Sequence, residues 1–331
     1  MTIAETRPAP VSARTAYRDW LLARMATDPR VVCLDTDTGL FTGADFGPAT
    51  GRYLNLGIAE HALMGVAAGL AASGWRPYVN TMAAFAAARA VEAVKIDIAY
   101  NALPVRIVAT HGGVAAGHLG PTHHALEDLA VLRALPNVTI AVPADVPGTT
   151  ALLDATAELP GPAYLRLGRK ATPELPGLPV PRLGELQRVR PGRRVVLVAT
   201  GPLPVLAALG AEDLLAAAGI ETGVLHAHTL KPFDGPALVA QTAGAELVVT
   251  VEEHWAAGGL GSAVAEVLAE AAPGPRLVRV AVPDEFVGTV GGQEHLLAER
   301  GIDAVGVAGR VRAALDPYHP AGGQPHAKET P

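Results

Sequence analysis

The chain has 331 residues, half of them apolar, with 36 Gly and 28 Pro against only 14 aromatics; its core must be built mainly from Ala, Val and Leu, which excludes the disordered, fibrous and disulfide-framework classes and leaves two domains or one large α/β domain. A formal net charge of −6, with 22 Arg and 4 Lys scattered along the chain, provides no concentrated field for a phosphate backbone and argues against a nucleic-acid partner. No apolar run approaches the roughly 18 residues of a membrane span, and Met1–Pro10 lacks a basic start followed by an apolar segment, so a cytoplasmic protein without membrane contact is expected.

In chain order, the apolar runs Val31–Leu34, Pro77–Val79, Val105–Thr110, Val138–Val142 and Ala163–Leu167 alternate with longer Ala-rich segments. Strands separated by helices in this way imply a parallel sheet covered on both faces. The single Cys33 sits inside the first run and reads as a small core residue. Residues 171–194 (ATPELPGLPVPRLGELQRVRPGRR) hold five Pro and no sustained period, which predicts a linker. The pattern then restarts with strand Val195–Ala199, a helix near Pro202–Ala218, strands Thr222–Leu225 and Glu246–Val251, helix Gly261–Ala271 and strand Leu277–Val280. The expected fold class is α/β, with two tandem domains that each hold a mostly parallel sheet flanked by helices. Their expected extents are 1–170 and 195–316, joined by the Pro-rich linker 171–194 and followed by a flexible tail, 317–331.

Two windows carry chemistry. In Leu54–Ser73 (LNLGIAEHALMGVAAGLAAS) a strand-to-helix turn puts Glu60 in the first turn of a helix whose small residues permit close packing. A carboxylate there either complements the helix dipole or is an acid held for proton chemistry. In Thr110–Asp128 (THGGVAAGHLGPTHHALED) His111, His118, His123 and His124 occupy a Gly-rich loop after a predicted strand, where α/β sheets place ligand sites. Zinc fits poorly, because no Cys lies nearby, the spacing matches no familiar ligand pair, and adjacent His123 and His124 point apart. No metal ligand is assigned to this chain.

The run GIAEH (Gly57–His61), then TMAAFAAARAVEAV (Thr81–Val94) and THGGVAAGHLGPTHHALEDLAVLRALPNVTIAVPAD (Thr110–Asp145), resembles the pyrimidine-binding domain of transketolases. The later VVLVATG (Val195–Gly201), HTLKPFD (His228–Asp234) and VEEHWAAGGLGSAVAEVLAE (Val251–Glu270) resemble the C-terminal domain of the same family. The resemblance runs in order from about Arg14 to Leu315. It implies thiamine diphosphate as cofactor, with Glu60 protonating the aminopyrimidine ring so that its imino nitrogen can deprotonate the thiazolium carbon. It further implies Asp37, Met82, Phe85 and Arg89 beside the cofactor, with Phe85 stacking on the aminopyrimidine. His111 and His123 would handle protons or stabilise an oxyanion, and Arg14, His118, Leu119, His123 and Arg169 would face the substrate.

Several positions depart from the family pattern. His118 and Leu119 stand where an acidic pair usually precedes GPTH, Met82 replaces an aromatic, Ala88 replaces a Tyr of some members, and Phe41 lies about where some place a phosphate-binding Ser. These changes point to a non-standard donor. The family also needs Mg2+ (or Ca2+) on the diphosphate, held by GDG and a downstream Asn, and the chain contains no GDG. GGLG at Gly258–Gly261 has the wrong spacing for a dinucleotide fingerprint and reads as close packing. The expectation is therefore a β-type subunit of a split transketolase. A separate diphosphate-binding chain would hold the metal, in an α2β2 heterotetramer built on a β-β dimer, and the complex would move a two-carbon ketol unit from a ketose to an aldehyde. The alternatives are the β chain of a 2-oxo acid dehydrogenase decarboxylating component and a catalytically idle scaffold partner.

Overall fold

The computed structural model describes residues 11–175, 178–271 and 273–316; the expected tail, 317–331, lies outside them. In chain order the strands are β1 (Val31–Asp35), β2 (Tyr53–Asn55), β3 (Arg76–Met82), β4 (Arg106–Thr110), β5 (Thr139–Ala141), β6 (Ala163–Arg166), β7 (Gln187–Arg190), β8 (Val195–Thr200), β9 (Thr222–His226), β10 (Thr229–Lys231), β11 (Leu247–Trp255) and β12 (Arg276–Val282). They form a seven-stranded sheet, β10-β5-β6-β4-β3-β1-β2, and a five-stranded sheet, β12-β11-β8-β9-β7. Every pairing is parallel except β10 with β5 and β7 with β9. The central strands β1, β4, β6 and β8 are buried along their whole length, as expected of continuous apolar runs covered by helices on both faces.

Two departures from the sequence reading change how the halves are joined. Within the segment expected to be a linker, Gln187–Arg190 is a strand that closes the edge of the second sheet. Thr229–Lys231, from the second half, adds antiparallel to the edge of the first sheet. The Lys231 ammonium reinforces that crossing by donating to the Arg133 carbonyl at 2.8 Å. Cys33 is fully buried, and burial pushes its thiol well above the ordinary range, as suits a core residue. Among the described residues no helix is long and apolar enough to cross a membrane.

His226, at the end of β9, also ties the halves together, its Nε2 lying 3.3 Å from the Val142 carbonyl. Burial, then the neighbouring His228, lowers its imidazole to about 3. A folded-state value below the ordinary 6.5 means that the unfolded chain binds the extra proton, so this group's contribution is intact near pH 7 and lost as pH falls below about 6.5. At pH 4.5 that loss is roughly 2–3 kcal/mol, from about 1.4 kcal/mol per pH unit. His226→Gln cannot take that proton. The melting temperatures of variant and wild-type chain should therefore converge between pH 7 and pH 4.5; a gap that stays constant would refute the neutral, buried histidine.

Candidate active site

Parallel strands direct their carboxyl ends to one edge, and the loops leaving that edge collect the candidate residues. Asp37 follows β1, Glu60 follows β2, Met82 ends β3 and Phe85 lies just beyond it. His111, His118 and His123 follow β4, and Arg169 follows β6. Arg14 comes from the first turn of helix Ala13–Thr27. A bridge between Ser12 and Ala171 brings that turn beside the segment carrying Arg169.

Glu60 begins helix Glu60–Ala72 after a turn in which Gly57 has φ 68° and its amide donates to Asn55 Oδ1 at 2.8 Å. Gly57 suits that left-handed position because it has no Cβ. Glu60 is only 2% exposed, yet the sole hydrogen-bond partner of its side chain among the described residues is Arg89, whose Nη1 donates to Oε2 at 2.9 Å. The Arg89 guanidinium carbon also lies 4.6 Å from the centroid of the Phe85 ring. On its other side Phe85 meets His123 edge-on, with ring centroids 5.3 Å apart. Glu60, Arg89, Phe85 and His123 thus form one continuous chain of contacts, in which Arg89 links the carboxylate to the aromatic ring.

His111 anchors a second cluster. It is buried and holds a left-handed backbone, φ 62°, an uncommon state for a non-glycine residue and one that clusters at functional sites. Thr110 Oγ1 lies 2.8 Å from its Nδ1; with the hydroxyl donating, the imidazole proton sits on Nε2. Burial, then the charges of Arg14, Arg169, His118 and His123, lowers this histidine to about 4, so it is neutral at pH 7. Arg169 Nη1 stands 3.3 Å from His118 Nδ1. Arg14 is itself lowered, by burial and by Arg169, so the two guanidiniums sense each other's charge, as at a site prepared for an anion. His123 repeats the Thr–His pairing, with Thr122 Oγ1 2.9 Å from its Nδ1.

Not every expected residue joins these clusters. Asp37 is exposed at φ 45°, two residues beyond the strand. The buried acid at the strand end is Asp35, which accepts from Thr38 Oγ1 at 2.8 Å and from the Tyr53 hydroxyl at 3.1 Å. Burial raises its carboxyl. Met82 caps the short helix Ala83–Ala87 without a side-chain hydrogen bond, and Leu119 is exposed beside His118. Phe41 is buried against Tyr17, Phe46 and Tyr53. His124 is buried with neither ring nitrogen partnered, apart from half-buried His123. Among the described residues no group of three or more His, Cys, Asp or Glu could hold a metal. The amides at the GGLG helix start are occupied by Glu252, which accepts from Leu260 and Gly261 at 2.7 and 2.8 Å.

Behind the histidine loop lies a buried polar layer that the sequence reading missed. Arg166 Nε donates to Asp128 Oδ2 at 2.9 Å, and its Nη2 reaches the carbonyls of Ala125 and Glu253 at 2.7 and 2.9 Å. The Tyr164 hydroxyl donates to the same Asp128 oxygen at 2.6 Å. One signal was present in the sequence: VEEHW carries two Glu and a His directly on from an apolar strand, and charges in such a place must be buried with partners.

This arrangement agrees with family-level comparison. Residues 9–174 match the model of the transketolase pyrimidine-binding domain, and residues 184–307 match that of the transketolase C-terminal domain. The chain is 37% identical over 305 residues to one subunit of the apulose-4-phosphate transketolase of Phocaeicola vulgatus, covering 90% of this chain and 95% of that one. It is 37% identical over 304 residues to the SqwH subunit of the 6-deoxy-6-sulfo-D-fructose transketolase of a Clostridium species, covering 91% and 92%. A solved split-gene transketolase, described as an inactive beta4 tetramer, superimposes with a TM-score of 0.81 at 41% identity, covering 93% of this chain and 99% of that one. With both domain models matched in order and these identities sustained over nine-tenths of its length, the chain belongs to the transketolase family.

Proposed function

We propose that this chain is the β-type subunit of a split transketolase and lines the aminopyrimidine side of a thiamine diphosphate site that a second chain completes. The observation that carries this reading is Glu60, a buried carboxylate paired with Arg89, whose guanidinium in turn lies over the Phe85 ring. When bound, the cofactor supplies a carbanion equivalent that breaks and makes carbon–carbon bonds next to a carbonyl. Glu60 would exchange a proton with the ring nitrogen, and Phe85 would provide an apolar ring against which the heterocycle packs. Arg89 holds one oxygen of Glu60 through a hydrogen bond at 2.9 Å.

The neutral His111 and the half-buried His123 would donate from Nε2 to substrate oxygens as negative charge develops, a pre-aimed arrangement that costs little reorganisation. Arg14 and Arg169 suit an anionic group at the far end of a sugar, and names among the relatives include a sugar phosphate and a sulfosugar. His118 in place of the usual acid supports a donor other than a standard ketose phosphate. The reaction is transfer of a two-carbon ketol unit from this ketose to an aldehyde.

The lack of GDG in the sequence supports a partner chain that carries GDG and Asn and holds Mg2+ or Ca2+. Similarity along nearly their whole length to relatives that are themselves single subunits supports the same pairing, in an α2β2 assembly. Thiamine diphosphate should accordingly bind weakly to this chain alone, and tightly and metal-dependently once the diphosphate-binding chain is added; calorimetry of the two chains, apart and mixed, measures this. Equal, tight binding by the isolated chain would sink the split-site reading. Release of carbon dioxide from 2-oxo acids without ketol transfer would instead favour the dehydrogenase alternative.

A further inference from the structure

The loop that carries His111 and His118 is shaped by the second domain. Glu253, near the end of β11, is buried at the boundary between the halves, and its Oε1 accepts the Val114 amide at 2.7 Å. Gln293 Nε2 donates to both carboxylate oxygens, each at 3.0 Å, and so fixes the carboxylate plane. The loop backbone presses directly on this group. A Cβ on Gly113, which holds φ 65°, would lie 2.3 Å from Glu253 Cγ, Cδ and Oε1, so only glycine fits there. Further along, the Gly117 carbonyl accepts the Gly291 amide at 3.1 Å, and a Cβ on Gly117 would meet Leu296 Cδ1 at 2.5 Å. Gly113 and Ala125 exchange backbone hydrogen bonds at 3.1 and 2.8 Å, which closes the loop into a hairpin-like ring. The carbonyl of Ala125 and that of Glu253 share one guanidinium nitrogen of Arg166.

We infer that Glu253 is a positioning residue: by holding the Val114 amide, it fixes the backbone that presents His111 and His118, so the second domain sets the histidine geometry without touching substrate. This assignment rests on the transketolase reading for its kinetic consequence but not for its structural one. Among the described residues Glu253 shares no hydrogen bond or ion pair with Glu60 or Arg89, so cofactor affinity and histidine geometry should separate. An acceptor at residue 253 is what the loop needs, and glutamine preserves one with nearly the same shape.

The test compares Glu253→Ala and Glu253→Gln in the full chain and in the enzyme reconstituted with its diphosphate-binding partner. In the full chain, amide hydrogen exchange at Val114 and Ala125 should speed up on the order of tenfold in the Ala variant and stay within about threefold of wild type in the Gln variant. In the reconstituted enzyme, kcat/KM for the donor should fall roughly 10- to 100-fold in the Ala variant, because misplacement by about 1 Å has that cost. The Kd for thiamine diphosphate should change less than about twofold, and the Gln variant should recover most of the activity. Three results would overturn the assignment: unchanged exchange over residues 111–125 in the Ala variant, exchange raised equally throughout both domains, or a Gln variant as impaired as the Ala variant. Where the Ala variant does not fold, Gln293→Met, which removes the two amide bonds to the carboxylate, should raise exchange in the same loop, and its failure to do so counts equally against the assignment. A wild-type complex without ketol transfer would refute the proposed function, while the exchange comparison would still decide the role of Glu253.

Discussion

Replacing Glu60 with Ala is expected to lower ketol transfer by the reconstituted enzyme roughly 1,000-fold while leaving its melting temperature almost unchanged. The two effects separate because Glu60 stabilises little. Its partner Arg89 has a side chain 48% exposed, and ion pairs with one exposed partner contribute about 0–1 kcal/mol. The catalytic loss follows from the removal of a positioned proton donor, an effect of about 10²–10⁴-fold. Glu60→Gln sharpens the test, since glutamine keeps the shape and a hydrogen bond but cannot exchange the proton, and it should be impaired nearly as much as the Ala variant. Single-turnover transfer and thermal melts on the same preparations make the comparison. Activity within about threefold of wild type in both variants would instead identify the chain as an idle scaffold that retained the fold.

The parallel strands were legible because burial on both faces demands unbroken apolar runs; Val195–Ala199, for instance, extends by only one residue, to Thr200, in the structure. Of the edge strands only β12 was read, as Leu277–Val280; the other three left no such trace. Gln187–Arg190 has alternate residues exposed inside a Pro-rich stretch, and Tyr53–Asn55 is three residues long and partly to fully exposed. The pairing of Thr229–Lys231 with Thr139–Ala141 joins residues about 90 positions apart, which no local pattern encodes.

The same division runs through the site. Glu60, Phe85, His111 and His123 were legible because short motifs place them just past strand ends, where the fold must converge. Asp37 was named from the family resemblance; the structure adds that it is exposed, whereas Asp35, two residues earlier, is buried at the strand end. The pairings of the Arg166–Asp128–Glu253 layer were not legible, beyond the charges of VEEHW, because its members are separated by 38 and 87 residues.

That layer carries the largest expected effect on stability. Arg166→Met should destabilise the chain by about 3–5 kcal/mol, because Asp128, fully buried, would lose the cation that compensates its charge. The carbonyls of Ala125 and Glu253 would also lose their shared donor, each at the cost of an unmade buried hydrogen bond. Burial opposes a charge on Arg166, but the carboxylates of Asp128 and Glu253 outweigh it and keep the guanidinium protonated. For chains of this size about 2–4 °C accompanies each kcal/mol, so the melting temperature should fall on the order of 10 °C. Removing both charges distinguishes an uncompensated charge from lost packing. In Arg166→Met with Asp128→Leu no ion remains buried, and replacing a buried pair by apolar residues is often neutral. The double variant should therefore be more stable than Arg166→Met alone, short of full recovery because Tyr164 loses its acceptor. A single variant that melts within about 2 °C of wild type would mean that the pair contributes nothing to stability. A double variant no better than the single one would place the loss in the two carbonyls that Arg166 bridges between the domains, not in the charge of Asp128.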